Sequence, residues 1–176
     1  QITPNHSHFA DNFEVPMLVK PFKPRYMAAS SVMGGFGGLL GLIIAPMGAF
    51  AASFKAALKI LRSGECLVIF PEGWTYLDGK MGTFHNGAVH GCRFAAAALK
   101  KPSYLLPMCI KYGRYPGPWI MKLPIRLQYA ILFFGFILFR SGATVVIGDP
   151  IADSSLPTDD TEASQFLRQE ISNLKP

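Results

Sequence analysis

Apolar residues in this chain occur in short runs separated by glycine, proline and charged residues, a pattern typical of alternating strands and helices. The apolar runs predict buried strands at Arg25–Ala29, Cys66–Phe70, Leu105–Ile110 and Ala143–Gly148. Helices are predicted over residues 7–19 (broken near Pro16), Ser53–Arg62, His85–Leu99 and about Thr161–Leu174. This alternation predicts one α/β domain over residues 1–176, with a mostly parallel or mixed sheet flanked by helices.

Two sequence features predict how a helix and a strand are placed in the fold. In the Ser53–Arg62 segment, Phe54, Leu58 and Leu61 share one helical face, which predicts the buried side. Pro107 lacks a backbone N–H, so it predicts that the strand containing it lies at a sheet edge or ends there.

Two long stretches carry almost no charge. Tyr26–Phe54 is long enough to span a bilayer, but its glycines and Pro46 weaken a single helix and favour a buried or interfacial segment. The apolar run Leu127–Phe139 has 13 residues, fewer than the roughly twenty that a spanning helix needs. It therefore predicts an interfacial or packed core helix.

Composition points towards a membrane surface. Half of the residues are hydrophobic and only 16% are charged, while the net charge is +6 and the sequence pI is near 9.3. Such a chain would attract anionic lipids, phosphorylated cofactors or nucleic acid. The basic residues are scattered and form no known reading motif, which disfavours nucleic acid.

The cysteines indicate the redox compartment of the protein. Cys66, Cys92 and Cys109 are odd in number and lie among apolar residues, which predicts reduced thiols in a cytosolic compartment, without a disulfide framework or zinc knuckle. No signal peptide is readable, and no strand is predicted before His6. We therefore expect amino-terminal elements, a membrane anchor among the candidates, to be missing.

The first candidate chemical group is His6 with Asp11, five residues apart near the start of a predicted helix. A carboxylate in this position can orient an imidazole and stabilise its charged form, so His6 could act as a general base. The plainer alternative is a hydrogen bond at a helix entry. No Gly-x-Ser-x-Gly elbow is present to supply a protein nucleophile, which leaves a substrate hydroxyl for that role.

The second candidate group follows the predicted central strand as Phe70-Pro71-Glu72-Gly73. Carboxyl ends of strands are where open α/β sheets build their sites. Glu72 could alternatively only cap the turn after its strand.

Together, these motifs resemble the His-x4-Asp and Phe-Pro-Glu-Gly boxes of the glycerolipid acyltransferase family, which includes 1-acylglycerol-3-phosphate acyltransferases. The resemblance extends through Leu106-Pro107 to Gly148–Ile151 and implies transfer of a fatty acyl group from acyl-CoA or acyl carrier protein to a hydroxyl of a (lyso)glycerolipid or related lipid. It implies His6 as catalytic base and Asp11 as its orienting partner. The substrate-binding residues that it implies are Phe70, Pro71, Glu72, Gly73 and Thr75. No metal or cofactor is expected, because the thioester already carries the activation, and nearby backbone N–H groups would stabilise the oxyanion.

Two departures from the family pattern leave the acceptor open. Family members that bind glycerol phosphate commonly carry arginine where this chain has Thr75, and another in a box matched here to Ala45–Gly48. Arginine suits bidentate phosphate binding, so its absence weakens the case for a phosphate-bearing acceptor.

Other interpretations remain. A coenzyme-independent phospholipid transacylase would use the same dyad, and a non-catalytic lipid-binding module would need no chemistry. His8 suggests a metallohydrolase as a further alternative. The spacing between His8 and Asp11, however, does not fit the metal-ligand motif of that class. His85 and His90 are interpreted as helix-surface residues, and Trp74 either packs or lies at a lipid head-group interface. We expect a membrane-associated domain on the cytoplasmic face, and Met33–Ile44 is a candidate wall for an acyl tunnel.

Overall fold

The fold is taken from a computed structural model. It describes residues 1–6, 11, 15, 18, 19, 23–28, 34, 39–74, 80–113, 118–124, 127, 128, 131 and 142–174. The second uncharged run, Leu127–Phe139, therefore lies mostly outside the described residues.

The described residues form a mixed sheet of seven strands. Its strands are β1 (Ile2–Pro4), β2 (Arg25–Ala28), β3 (Ala49–Ala51), β4 (Leu67–Val68), β5 (Tyr104–Tyr112), β6 (Ala143–Ile147) and β7 (Ile151–Ala152). Their order is β3-β2-β4-β1-β5-β6, with β7 also on β5. Pairing from β3 to β5 is parallel, whereas β6 and β7 run antiparallel to β5. The predicted α/β class with a mixed sheet is confirmed.

Strand β1 corrects one prediction, because a strand does precede His6. Ile2 pairs with Val68 of β4 on one side and with Leu106 of β5 on the other, and all three β1 residues are buried. Three residues that include Pro4 are too few to show strand periodicity, so only the pairing reveals this strand. β3 is equally short, falls in the uncharged stretch and was not predicted either.

The structure gives the bounds of four helices: α1 (Leu39–Ile44), α2 (Phe54–Arg62), α3 (Gly87–Leu99) and α4 (Asp160–Asn173). Short 3-10 helices occur at Ala45–Met47, Pro118–Lys122 and Asp153–Ser155. The Ser53 hydroxyl accepts from Ala56 N–H and begins α2, and Asp159 caps α4 through Thr161 and Glu162. The predictions of α2, α3 and α4 are confirmed to within two residues.

The sheet separates two hydrophobic clusters. One face carries α2, α3 and α4, whose apolar residues pack with Leu67, Ile69 and Leu105. The other face is covered by residues from several segments, among them Val15, Ile44 and Ile120. The two covered faces leave the strand ends as the places where a site can form.

The buried side of α2 differs from the predicted one. Ala57, Ile60 and Leu61 are buried, while Phe54 is 52% exposed. Phe54 is the first helical residue and is not covered by the core. At 100° per residue, the mean direction of the buried side chains lies about 70° from that of the predicted stripe.

Pro107 lies in the middle of β5, not at an end or edge strand as predicted. It pairs with Thr3 of β1, and its carbonyl oxygen accepts from Gly148 N–H on the other side. In a strand, the backbone N and O of one residue point to the same side. The missing N–H therefore faces the gap between β6 and β7, where no ladder bond is lost.

Described parts of the uncharged Tyr26–Phe54 stretch form β2, α1 and β3. Within the described ranges, no helix combines the length and the apolar character needed to cross a bilayer. All three cysteines are free thiols; Cys92 is buried and the other two are half-buried, and burial raises the pKa of each. The prediction of unpaired cysteines is confirmed.

Candidate active site

Asn5 carries the chain from β1 to the candidate base. Its N–H donates to Met108 O at 3.2 Å, and its side-chain amide pairs with the backbone of Ile110. Nδ2 donates to Ile110 O at 3.0 Å, and Oδ1 accepts from Ile110 N–H at 2.5 Å. The amide thus continues the β1–β5 ladder by one rung and fixes where His6 leaves the sheet.

His6 and Asp11 meet as predicted. Nδ1 of His6 lies 3.0 Å from Oδ2 of Asp11, a fully buried residue in helical backbone, while the His6 side chain is 12% exposed. With Asp11 ionised, Nδ1 carries the proton and donates a hydrogen bond to the carboxylate. Nε2 then lies at the opposite edge of the ring as the basic nitrogen.

Tyr112 is a third member of this group, which the sequence did not reveal. Its hydroxyl donates to Oδ1 of Asp11 at 2.6 Å, and the side chain is almost fully buried. In the sequence it is an aromatic residue just past a predicted strand, which is indistinguishable from an ordinary core tyrosine.

Glu72 connects the two motifs. Oε1 accepts from the backbone N–H of His6 at 2.7 Å, and Oε2 accepts from Gly82 N–H at 2.7 Å. The residue is 1% exposed. Burial raises the pKa of the Glu72 carboxyl, while the N–H groups of His6 and Gly82 lower it only in part.

Phe70, Pro71 and Gly73 form the turn that presents Glu72. The Phe70 ring lies against the His6 imidazole with centroids 4.2 Å apart. Gly73 N–H donates to Phe70 O at 3.1 Å, and Gly73 adopts φ +64°, a region that favours glycine. The turn therefore both shields the imidazole and delivers the carboxylate to its backbone.

His85 belongs to this turn and not to a helix surface. It precedes α3, and its N–H donates to Pro71 O at 2.8 Å. Its exposed ring lies beside Gly73, 3.2 Å from where a Cβ would stand there. His90 does lie on the surface of α3, as predicted, paired with Asp160 of α4.

Arg168 of α4 also supports the site, although the sequence offered no signal for it. Its Nε donates to Gly82 O at 2.8 Å, and its second guanidinium nitrogen donates to Met81 O at 3.1 Å. Gly82 is thus held by Arg168 through its carbonyl and by Glu72 through its N–H.

Of the remaining positions that the sequence singled out, two fall outside the described residues and one segment lies away from His6. Thr75 lies outside the described residues, as does His8. The Ala45–Gly48 segment precedes β3, so it lies at the amino edge of the parallel strands, opposite His6. The residues that leave β3 at the His6 edge are Ala52 and Ser53, and they are uncharged too.

No three His, Cys, Asp or Glu side chains among the residues with described positions come together as a metal site. Two exposed aromatic residues are each about half exposed: Trp74, which follows the Glu72 turn, and Trp119, which lies in the 3-10 helix Pro118–Lys122.

Comparisons with known proteins identify the family and the fold. The family model described as Acyltransferase matches residues 2–111, which include both motifs. The crystal structure of the 1-acyl-sn-glycerophosphate (LPA) acyltransferase PlsC from Thermotoga maritima matches 98% of this chain with a TM-score of 0.59 and 16% identity. This chain covers 64% of that structure. No match is found among curated proteins.

The likeness to PlsC establishes a shared fold, and the family model covers well over half of the residues. The chain therefore belongs to the acyltransferase family.

Proposed function

We propose that this domain transfers a fatty acyl group from acyl-CoA or acyl carrier protein to a hydroxyl of a lyso-glycerolipid or related lipid. The observation that carries the proposal is the His6–Asp11 pair, with a buried carboxylate on Nδ1 and the Glu72 carboxylate on the His6 backbone. Membership of the acyltransferase family supports it.

The proposed reaction uses the side chains at these positions. Nε2 of His6 takes the proton of the acceptor hydroxyl as its oxygen attacks the thioester carbonyl carbon. Asp11 holds the imidazole and stabilises the imidazolium. When the tetrahedral intermediate collapses, the carbon–sulfur bond breaks and His6 returns the proton to the departing thiolate. The products are an ester and a free thiol, and no metal or redox cofactor takes part.

Glu72 acts in this scheme by holding the base. Both of its oxygens accept backbone N–H groups, so it fixes the His6 backbone relative to the turn beside it. The N–H groups of His6, Gly73 and Gly82 already have acceptors. The oxyanion would therefore be stabilised by donors other than these three.

The acceptor is proposed as a lipid that need not carry phosphate. At the His6 edge of β3, Ala52 and Ser53 offer no cation for a phosphate group. PlsC acts on a lysophosphatidic acid acceptor by its name, but at 16% identity its acceptor is one candidate among several.

Membrane association on the cytoplasmic side completes the proposal. The exposed Trp74 and Trp119 are of the type that favours lipid head-group regions, and the net charge of +6 favours anionic lipids. Trp74 directly follows the turn that carries Glu72, so docking through Trp74 would bring the base towards its lipid substrates.

An acceptor screen tests the function. Labelled acyl-CoA and acyl carrier protein are offered with lysophosphatidic acid, uncharged lyso-lipids and amino-acid-based lyso-lipids in vesicles. We expect transfer to at least one acceptor, loss of transfer in His6→Ala, and near-normal transfer in the control His90→Ala.

Each of the other outcomes would indicate a different mechanism or a different function. Transfer retained by His6→Ala removes the mechanism. Transfer only from a phospholipid donor would identify a transacylase, and vesicle binding without turnover on any acceptor would identify a lipid-binding module.

A further inference from the structure

Strand β5 holds both ends of the segment that carries His6. The Asn5 side chain bonds the backbone of Ile110, and Asp11 accepts from the Tyr112 hydroxyl. Ile110 and Tyr112 are two residues apart, so their side chains lie on the same face of β5. The segment from Asn5 to Asp11 is thus fastened to one strand at its start and at its end.

We propose that Tyr112 is a positioning residue for the general base: its hydroxyl fixes the Asp11 carboxylate and tunes the negative charge that Asp11 presents to His6. The proposal rests on the proposed function, because it assigns Tyr112 a part in the same acyl transfer.

The geometry supports a directional role. Asp11 is fully buried, with Oδ1 facing Tyr112 at 2.6 Å and Oδ2 facing Nδ1 of His6 at 3.0 Å. A carboxylate held at both oxygens cannot rotate without losing a charge-assisted hydrogen bond. Because Asp11 sets the imidazole plane, the tyrosine acts on the base through Asp11.

The effect of the Tyr112 hydroxyl on the charge of the Asp11 carboxylate also supports a role in positioning and tuning the base. A donor to one carboxylate oxygen draws negative charge from the other, so Tyr112 weakens the stabilisation that Asp11 gives to the imidazolium. Removing the hydroxyl should favour imidazolium and require a higher pH for the neutral base.

Tyr26 shows what a purely structural tyrosine looks like in this fold. It is fully buried, and its hydroxyl donates to a neutral acceptor, the carbonyl oxygen of Ile44, at 3.2 Å. Tyr26→Phe therefore measures the loss of a buried hydroxyl. Tyr104→Phe, at the exposed start of β5, controls for the substitution itself.

The test compares Tyr112→Phe with these two controls. We expect kcat to fall on the order of tenfold with KM little changed, and the acid limb of the rate profile to move upwards by roughly half to one pH unit. Both controls should keep the wild-type profile. A Tyr112→Phe profile that coincides with that of Tyr26→Phe would overturn the proposal.

A second variant avoids the question of folding. Placing 3-fluorotyrosine at position 112 keeps the shape and makes the hydroxyl a stronger donor, so the acid limb should move to lower pH, opposite to Tyr112→Phe. Movement in the same direction for both variants, or in neither, contradicts the proposal.

A third readout does not need turnover. Nitrogen-15 spectra of histidine-labelled protein should show His6 with its proton on Nδ1, and in Tyr112→Phe the ring signals should change to those of imidazolium at a higher pH than in wild type. If wild-type protein transfers no acyl group but the ring signals respond in this way, the proposed function fails and the positioning role stands. Unchanged His6 ring signals across the pH range in Tyr112→Phe overturn the positioning role.

Discussion

The backbone N–H of His6 donates a 2.7 Å hydrogen bond to Oε1 of Glu72, a residue 66 positions away in sequence. This bond joins the two motifs through the main chain of the base, not through its ring. Glu72 therefore sets where His6 stands, while Asp11 sets how its ring is turned.

Glu72→Gln tests this bond. Glutamine has one carbonyl oxygen and one NH2 group, so it can accept only one of the two N–H groups that Glu72 now accepts. We expect acyl transfer to fall about tenfold or more and the free energy of unfolding to fall by about 1–3 kcal/mol. The control is Glu170→Gln on α4, which should match wild type. Full activity in Glu72→Gln would show that the bond does not position the base.

The same residue predicts a pH dependence of stability. Burial raises the pKa of folded Glu72 above its ordinary value of 4.5, so between 4.5 and the folded pKa the folded state holds the extra proton. Stability from this group is therefore greatest at low pH and falls as the pH rises through that window. Urea unfolding of wild type and Glu72→Gln across this range should give a difference that shrinks with rising pH. A difference independent of pH would contradict the assignment.

Asn5→Ala should weaken the link between β1 and β5. The substitution removes both side-chain hydrogen bonds to the buried Ile110 backbone. We expect a loss of about 2 kcal/mol in the free energy of unfolding, with reduced acyl transfer, because His6 is the next residue. Asn173→Ala, at the exposed end of α4, should change stability by less than about 0.5 kcal/mol. Equal effects of the two variants would show that the Asn5 amide contributes nothing.

Gly48→Ala tests the packing that joins β2 to β3. Gly48 has φ +102°, and a Cβ there would stand 2.3 Å from the Pro24 carbonyl oxygen. We expect roughly 2–4 kcal/mol of destabilisation from the backbone conformation and the clash together. Gly87, the first residue of α3, has open space around it, so Gly87→Ala should be neutral or stabilising by about 0.4–1 kcal/mol. Thermal unfolding of both variants decides the point, and a stable Gly48→Ala would contradict it.

Some helices and strands of this fold could be predicted from the sequence, and others could not. The three longer helices and the longer strands follow from apolar periodicity and caps such as Ser53 and Asp159. Strands β1 and β3 have three residues each, too few for a pattern, and they exist because their neighbours pair with them. The helical face of α2 shifted for a similar reason, since the edge of the core decides whether Phe54 is covered.

The candidate site likewise contains residues that the sequence predicted and residues that only the structure revealed. His6 and Asp11 are close in sequence, and the Phe70–Gly73 box follows a recognisable strand, so both were readable. Tyr112 joins Asp11 across 101 positions and Arg168 joins Gly82 across 86. Neither residue has a sequence neighbour that would mark its role.

By itself the sequence determined the α/β class, the two motifs and the absence of arginine at Thr75 and in Ala45–Gly48, because these depend on residue type and short spacing. Only the tertiary structure decided that Glu72 holds the His6 backbone, that Tyr112 holds Asp11, and that Ala45–Gly48 lies at the far edge of the sheet. Strand order sets these relationships, since parallel pairing brings the ends of β1, β4 and β5 together, and strand order is a property of the whole chain.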